Sequence, residues 1–141
     1  MALDSGTTYT LLPPSVHKTI LKSFSRYCSA SKNRCGGHRT YKENSCFDQD
    51  KNKHDTLDSY FASFPTLQVG LGESGIYIWK PADYLAQGSN PYDSAVVTYC
   101  NIILKSPDED TATLGNTFMR HHDIYFDRPR QMLEIVEADC D

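Results

Sequence analysis

A short apolar run, Met1 to Leu3, stops at Asp4-Ser5-Gly6-Thr7-Thr8 and resumes over Tyr9 to Leu12. The first run reads as the end of a buried strand and the second as extended chain. The hydroxyl- and glycine-rich stretch between them reads as a tight turn. Pro13-Pro14 closes the second run, and Ser15 is placed to cap a helix from about Val16 to Tyr27. Val16, Ile20, Phe24 and Tyr27 recur at helical spacing and give that helix one apolar face, leaving His17, Lys18 and Lys22 to solvent. From Ser29 to Asp55 the periodicity vanishes. Lys, Asn, Gly and Asp dominate, Gly36-Gly37 marks a turn, and the stretch reads as an exposed polar excursion with little regular structure.

The texture changes again at Leu57. Phe61, Phe64, Leu67 and Val69, the turn Gly70-Leu71-Gly72-Glu73-Ser74-Gly75, and Ile76 to Trp79 read as a hairpin. The glycine-rich turn lacks the GxxxxGK pattern and no helix follows it, so it is not a phosphate loop. Lys80 to Leu85 predicts a single helical turn and Val96 to Leu104 a central strand. Ser106 to Asp110 reads as an acidic surface turn, Thr111 to Leu114 as a strand, Gly115-Asn116 as a turn and Thr117 to Arg120 as a short helix. His122 to Asp127 and Gln131 to Val136 form a last hairpin across Arg128-Pro129-Arg130, whose turn Asp127 orders. The expected fold is mostly β with one main helix.

The 141 residues suit one domain with a modest core. Apolar residues at 39% and charged residues at 23% place the chain among globular rather than disordered sequences. A net charge of -4 without a basic stripe excludes nucleic acid as the expected partner. No apolar run reaches the roughly 18 residues of a membrane span, and Asp4 interrupts the start before a leader sequence could form. The cysteines, Cys28, Cys35, Cys46, Cys100 and Cys140, form no CxxC pair. Neither they nor His38 and His54 show zinc-ligand spacing. Disulfides in an oxidising compartment are the preferred reading and five buried thiols the alternative. Spacing alone allows a local Cys28–Cys35 link, with Cys28–Cys140 as its rival.

The candidate chemistry lies in Asp4-Ser5-Gly6-Thr7. An aspartate on a turn behind a strand is rigidly held, glycine permits close approach of another segment, and flanking hydroxyls can donate to the carboxylate. Such a turn serves a carboxylate that must keep one orientation during proton transfer. A bare Asp-Ser-Gly is also an ordinary Asx turn. Peptide hydrolysis needs two carboxylates sharing one proton, and no other aspartate of the chain stands in an Asp-Ser/Thr-Gly context.

Asp4 to Pro13, DSGTTYTLLP, resembles the second catalytic loop of the pepsin-like aspartic proteases. Ala112 to Arg120 resembles the family's ILG-x-x-F-L-R element, and His121 to Cys140 its F/Y-D-R to A-x-C ending. Phe64-Pro65-Thr66-Leu67 and Trp79 to Leu85 resemble its L-P-x-I and P-x-x-Y-L/I segments, so the likeness runs along nearly the whole chain. The resemblance implies most of the C-terminal lobe of the double-psi acid-protease fold over residues 1–141, with 29–55 as a Cys-bearing insertion. It implies Asp4 as one catalytic aspartate, with Ser5 and Gly6 shaping the loop. The Thr7 hydroxyl would interlock with the other lobe, and Gly6, Thr7, Thr8 and Thr113 would face substrate. Leu114-Gly115 would be the pair that the loop passes, and Cys46–Cys100 the lobe's disulfide.

An aspartic endopeptidase acting on extended polypeptides in the secretory pathway, an endomembrane compartment or outside the cell is therefore expected. It needs no metal or organic cofactor. The partner aspartate would sit on an N-terminal lobe outside this chain, as would any membrane anchor. The alternative is a catalytically silent domain with a binding or structural role. A homodimer joining two copies of Asp4 is less favoured, because no flap-like hairpin is legible near the start. Thr113 stands where the family commonly has isoleucine, and Leu133-Glu134-Ile135 replaces its I-G-F, which is expected to alter the last strand's pairing. The length of Ser29 to Asp55 resembles that of the beta-secretase type or of the endoplasmic-reticulum plasmepsin of apicomplexan parasites.

Overall fold

The computed structural model describes residues 1–37, 40–41, 46–70, 75–90, 93 and 95–138. Among the described residues strands dominate, and the one long helix is α1, Pro14–Ser29. It starts one residue before the expected cap: Pro14 sits in the first turn, where its missing N–H costs nothing, and no side chain caps the end. Ser15 lies inside the helix, its carbonyl accepting the Thr19 hydroxyl. The buried face is carried by Phe24 and Cys28, while Val16 is 45% exposed. His17, expected in solvent, is half-buried and donates through Nε2 to the Ile103 carbonyl at 3.2 Å. Ile20, Phe24 and Tyr27 face the core as the apolar pattern suggests, and the stripe departs from it only at its start, where His17 rather than Val16 turns inward.

Two four-stranded sheets form the body. The first runs β1 (Ala2–Leu3), β10 (Thr113–Leu114), β2 (Thr10–Leu12), β9 (Ile103–Lys105), with β1 parallel to β10, β10 antiparallel to β2 and β2 parallel to β9. The second is antiparallel, in the order β3 (Thr40–Tyr41), β4 (Cys46–Asp48), β8 (Val97–Asn101), β7 (Leu85–Ser89). Two hairpins complete it: β5 (Leu67–Gly70) with β6 (Ile76–Trp79), and β11 (His122–Asp127) with β12 (Met132–Glu137). Short helices α2 (Leu57–Phe61), α3 (Pro81–Tyr84) and α4 (Asn116–Met119) link them.

Several expectations change. Val96 to Leu104 is two strands, because the chain leaves the second sheet at Ile102 and enters the first at Ile103; Asn101 Oδ1 accepts the Ile103 amide at 2.9 Å and fixes that corner. Leu57 to Phe61 is helical, held by a capping box between Thr56 and Ser59. Within Ser29 to Asp55, Cys46–Asp48 is a buried interior strand and Cys35 is fully buried, so these residues belong to the core, while residues 29–33 and 51–53 are exposed as expected. Apolar content fails as a guide there because Asp48 is buried as an acceptor, taking the Thr98 hydroxyl at 2.8 Å and the Asn90 amide at 3.2 Å. The Met1 to Leu3 end is strand but largely exposed. Glu134 leaves the last pairing intact: β11 and β12 stay in register from His122↔Glu137 to Asp127↔Met132.

The core is aromatic. Phe24, Phe47, Tyr60, Phe64, Trp79, Tyr84 and Phe118 are all nearly or wholly buried. Their polar ends are matched: Tyr60 donates to the Phe47 carbonyl at 3.0 Å and the Trp79 indole to the Thr117 carbonyl at 3.1 Å. Burial holds the Tyr60, Tyr77 and Tyr84 hydroxyls well above the usual phenol range. Gly36 takes a left-handed φ of 65°, and a Cβ there would lie 2.3 Å from the Tyr60 ring.

Among the described residues two disulfides tie these parts, Cys28–Cys35 across 7 residues and Cys46–Cys100 across 54. The second joins directly paired residues of β4 and β8. Cys28 is thereby committed to Cys35 rather than to Cys140, which lies outside the described residues, as do His38 and most of the glycine-rich turn. Closing the longer loop restricts the unfolded chain more, so replacing Cys46 and Cys100 by alanine should cost about 2–4 kcal/mol, more than replacing Cys28 and Cys35. Urea midpoints of the two variants measure the difference, and an equal or reversed order would contradict it.

Candidate active site

Asp4 follows β1 directly. Its amide donates to the Leu114 carbonyl at 3.0 Å, which prolongs the β1–β10 contact by one residue and sets the direction in which the loop leaves. The carboxylate is gripped at both oxygens. The Gly6 amide donates to Oδ1 at 2.9 Å, and the Thr7 hydroxyl donates to Oδ2 at 2.6 Å. The first of these is the bond of an Asx turn, so the bland reading of Asp-Ser-Gly holds as local geometry; the second goes beyond it. The Thr7 amide donates back to the Asp4 carbonyl at 3.2 Å and closes the turn.

The far side of the loop rests on Gly115. A Cβ there would lie 2.2 Å from the Tyr9 carbonyl oxygen and 2.5 Å from that of Thr7, so no side chain fits between the two backbones. With the gap closed, the Asn116 amide reaches the Thr7 carbonyl at 2.8 Å and the Thr117 amide the Thr8 carbonyl at 3.2 Å. Leu114 is buried behind them. Asp4, Ser5, Gly6 and Thr8 are exposed, while Thr7 and Thr113 are half-buried.

Asp4, Gly6, Thr7, Leu114 and Gly115 are therefore brought into one hydrogen-bonded unit, with Thr8 attached through its carbonyl. Thr113 enters only as the strand residue that pairs Ala2 and Leu11. Cys46 and Cys100 lie elsewhere, in the second sheet, and Cys28 and Cys35 lie in α1 and just after it. The Thr7 hydroxyl, expected to interlock with the other lobe, donates its proton to Asp4 and retains its acceptor lone pairs. Sequence reading also passed over Thr10 and Thr117. Their hydroxyls meet at 3.0 Å in full burial, and the Gly115 amide donates to Thr10 Oγ1 at 3.3 Å. Two threonines where the strand and helix patterns face inward were the available signal.

Hydrogen bonds from Thr7 and then Gly6 hold the Asp4 carboxyl below its ordinary value, because both donors favour the ionised form. Among the described residues no cluster of His, Cys, Asp and Glu is placed to hold a metal ion. A shallow surface cavity lies at the tip of the β11–β12 hairpin, lined by Phe126, Asp127, Arg128, Gln131, Met132 and Leu133, and includes none of the loop residues.

The family model described as xylanase inhibitor C-terminal matches residues 1–137, and thus covers the Asp4 loop, the Gly115 crossing and both hairpins. The chain belongs to that family. As a xylanase inhibitor C-terminal domain it falls within the pepsin-like aspartic protease family. Its mostly β architecture fits the C-terminal lobe of that fold. The match reaches the family and gives no support to a beta-secretase-like or plasmepsin-like subgroup. No curated protein matches the chain.

Two substitutions test the geometry of this C-terminal domain. Gly115→Ala must push the Thr7 and Tyr9 backbone away, and should cost about 1–3 kcal/mol of stability, measured by denaturant unfolding. Thr7→Val should raise the Asp4 titration midpoint toward the ordinary aspartate value of about 3.9, followed by carbon-13 NMR of the carboxyl. The sign follows from linkage. A lowered folded-state pKa adds stability above the unfolded-state pKa, and that stability is lost as pH falls through the folded one. Thr7→Val should shrink this pH-dependent part. An unmoved midpoint would show that the hydroxyl does not set the charge of Asp4.

Proposed function

We propose that this chain supplies one half of the site of a pepsin-type aspartic endopeptidase. It would be the C-terminal lobe, over residues 1–141, with Asp4 as one member of the dyad and the partner aspartate on an N-terminal lobe outside these residues. The observation that carries this is the two-sided grip on Asp4: a surface carboxylate whose two oxygens are oriented by Gly6 and Thr7 while its outer side stays open to solvent.

Alone, such a group is a fixed anion and has no proton to give. A second carboxylate brought within about 3 Å changes that, because like charges so close cannot both ionise. The pair then holds one proton and titrates as a unit, behaviour for which aspartic proteases are the known example. The ionised member takes a proton from water, and the hydroxide attacks the peptide carbonyl. The protonated member gives its proton to the carbonyl oxygen, which leaves a neutral gem-diol; the first member then passes the proton taken from water to the leaving nitrogen as the C–N bond breaks, and a diol hydroxyl returns a proton to the second member, which restores the pair. Gly6, Thr8 and Thr113 would contact the polypeptide, and Ser5, Leu114 and Gly115 would support the loop. Nothing in this scheme calls for a metal or organic cofactor. The disulfides Cys28–Cys35 and Cys46–Cys100 support a secretory, endomembrane or extracellular setting.

A second reading draws on the description of the matched family, which is that of an inhibitor's domain. On that reading the fold serves binding or structure and is catalytically silent. The two part at Asp4. In the full-length protein Asp4→Asn should lower turnover of a peptide substrate at acidic pH by at least about 10²–10⁴-fold, with the circular dichroism spectrum unchanged. Mass spectrometry must show that the amide has not reverted. Wild-type turnover that survives Asp4→Asn removes Asp4 from catalysis, and a full-length wild type without turnover favours the silent domain. The present chain by itself should not cleave peptides. Turnover abolished by Asp4→Ala would instead point to two copies of Asp4 meeting.

A further inference from the structure

Thr10 and Thr117 come from opposite ends of the chain, β2 and α4, and both are buried to 1% exposure or less. Their hydroxyls meet at 3.0 Å. A buried hydroxyl pair adds little net stability over two apolar side chains of the same shape, so packing alone does not explain it. What a hydrogen bond adds is direction, since it fixes the spacing of the two elements that carry it. Here β2 continues the Asp4 loop directly, and α4 carries the amides of Asn116 and Thr117 that donate to Thr7 and Thr8. Thr10 Oγ1 also accepts the Gly115 amide, so one hydroxyl holds both the crossing point and the start of α4. Thr7, held by Asn116, is the residue whose hydroxyl donates to Asp4 Oδ2.

We propose that the buried Thr10–Thr117 hydroxyl pair is a positioning device for the Asp4 loop, setting α4 against β2 so that the Thr7 hydroxyl meets the Asp4 carboxylate. Neither threonine touches reacting atoms; both act through the backbone of residues 7 and 8. The inference rests on Asp4 being the working carboxylate of the proposed site, but its test needs no catalysis. The lowered charge-state midpoint of Asp4, caused chiefly by Thr7, supplies the readout.

The experiment follows the Asp4 carboxyl by carbon-13 NMR titration in this chain, comparing wild type, Thr117→Val and Thr117→Ser, with a melting curve for each. Valine keeps the shape and removes the hydroxyl; serine keeps the hydroxyl and removes a methyl group. Thr117→Val should move the Asp4 midpoint upward toward about 3.9, and Thr117→Ser should leave it at the wild-type value even where it lowers the melting temperature. A merely structural role would lower the melting temperature and move neither midpoint. A folded Thr117→Val with a wild-type Asp4 midpoint overturns the proposal. Should that variant not fold, amide hydrogen exchange in the unchanged chain decides. Gly115, Asn116 and Thr117 should open as one unit, and exchange of Asn116 and Thr117 faster than that of Gly115 would overturn the coupling. Asp4 titrates whether or not a peptide is ever cleaved, so failure here leaves the proposed function standing, and a failed peptidase assay leaves this inference standing.

Discussion

The Asp4 loop depends on two stretches of backbone sharing one space. β10 is flanked on both sides, by β1 and by β2, and the residue after it must let the returning chain pass. Only a residue without a side chain allows the Tyr9 and Thr7 carbonyls to lie where they do beside Gly115. The contact also solves a hydrogen-bonding problem. The first amides of any helix have no partner inside it, and the Thr7 and Thr8 carbonyls belong to a turn rather than a sheet. Asn116 and Thr117 lead α4, so the two shortages cancel across the crossing.

Shape and charge separate at this site. The loop supplies shape: it fixes both carboxylate oxygens and leaves their outer side open. Taken alone, the same bonds favour the ionised form of Asp4 and make it a weaker base. A binding surface gains from such pre-ordering, because less side-chain freedom is lost on contact. A carboxylate that must keep its aim while a neighbour raises its affinity for a proton needs it. The lowering by Thr7 and Gly6 and the raising by a second aspartate act in opposite directions, and their balance would set where a shared proton leaves.

What could be read from the sequence was whatever repeats locally. Pro13-Pro14 and the spacing of Phe24 announce α1, and the alternation of Ile76 to Trp79 and of His122 to Asp127 announces hairpins, because in each the partner lies near in sequence. What could not be read was settled at long range. β8 and β9 follow one another with a single residue between them, and the Asn101 side chain turning back on Ile103 marks where the chain divides between sheets. β4 hides in a polar stretch because its neighbours, β8 above all, supply the donors that Asp48 needs. His17 is drawn inward by a carbonyl 86 residues away. At the site, the motif around Asp4 and the glycine at 115 were visible as a resemblance. The destination of the Thr7 hydroxyl and the meeting of Thr10 with Thr117 were not, since each depends on how α4 approaches the loop.

The aromatic core and the site are mechanically joined through α4. Trp79 fills the centre of the core and packs edge-on against Phe118, with ring centroids 5.3 Å apart, while its indole N–H is tied to the Thr117 carbonyl. Tyr77 stacks on the same Phe118 at 4.0 Å. Four residues of helix thus present one face to the core through Phe118 and another to the Asp4 loop through Asn116 and Thr117. So short a helix has no stability of its own. It exists because the core holds it, and the loop keeps its form because α4 is held. The Asp4 carboxylate can therefore sit on the surface, fully accessible, and still inherit the rigidity of the most deeply buried side chains in the domain.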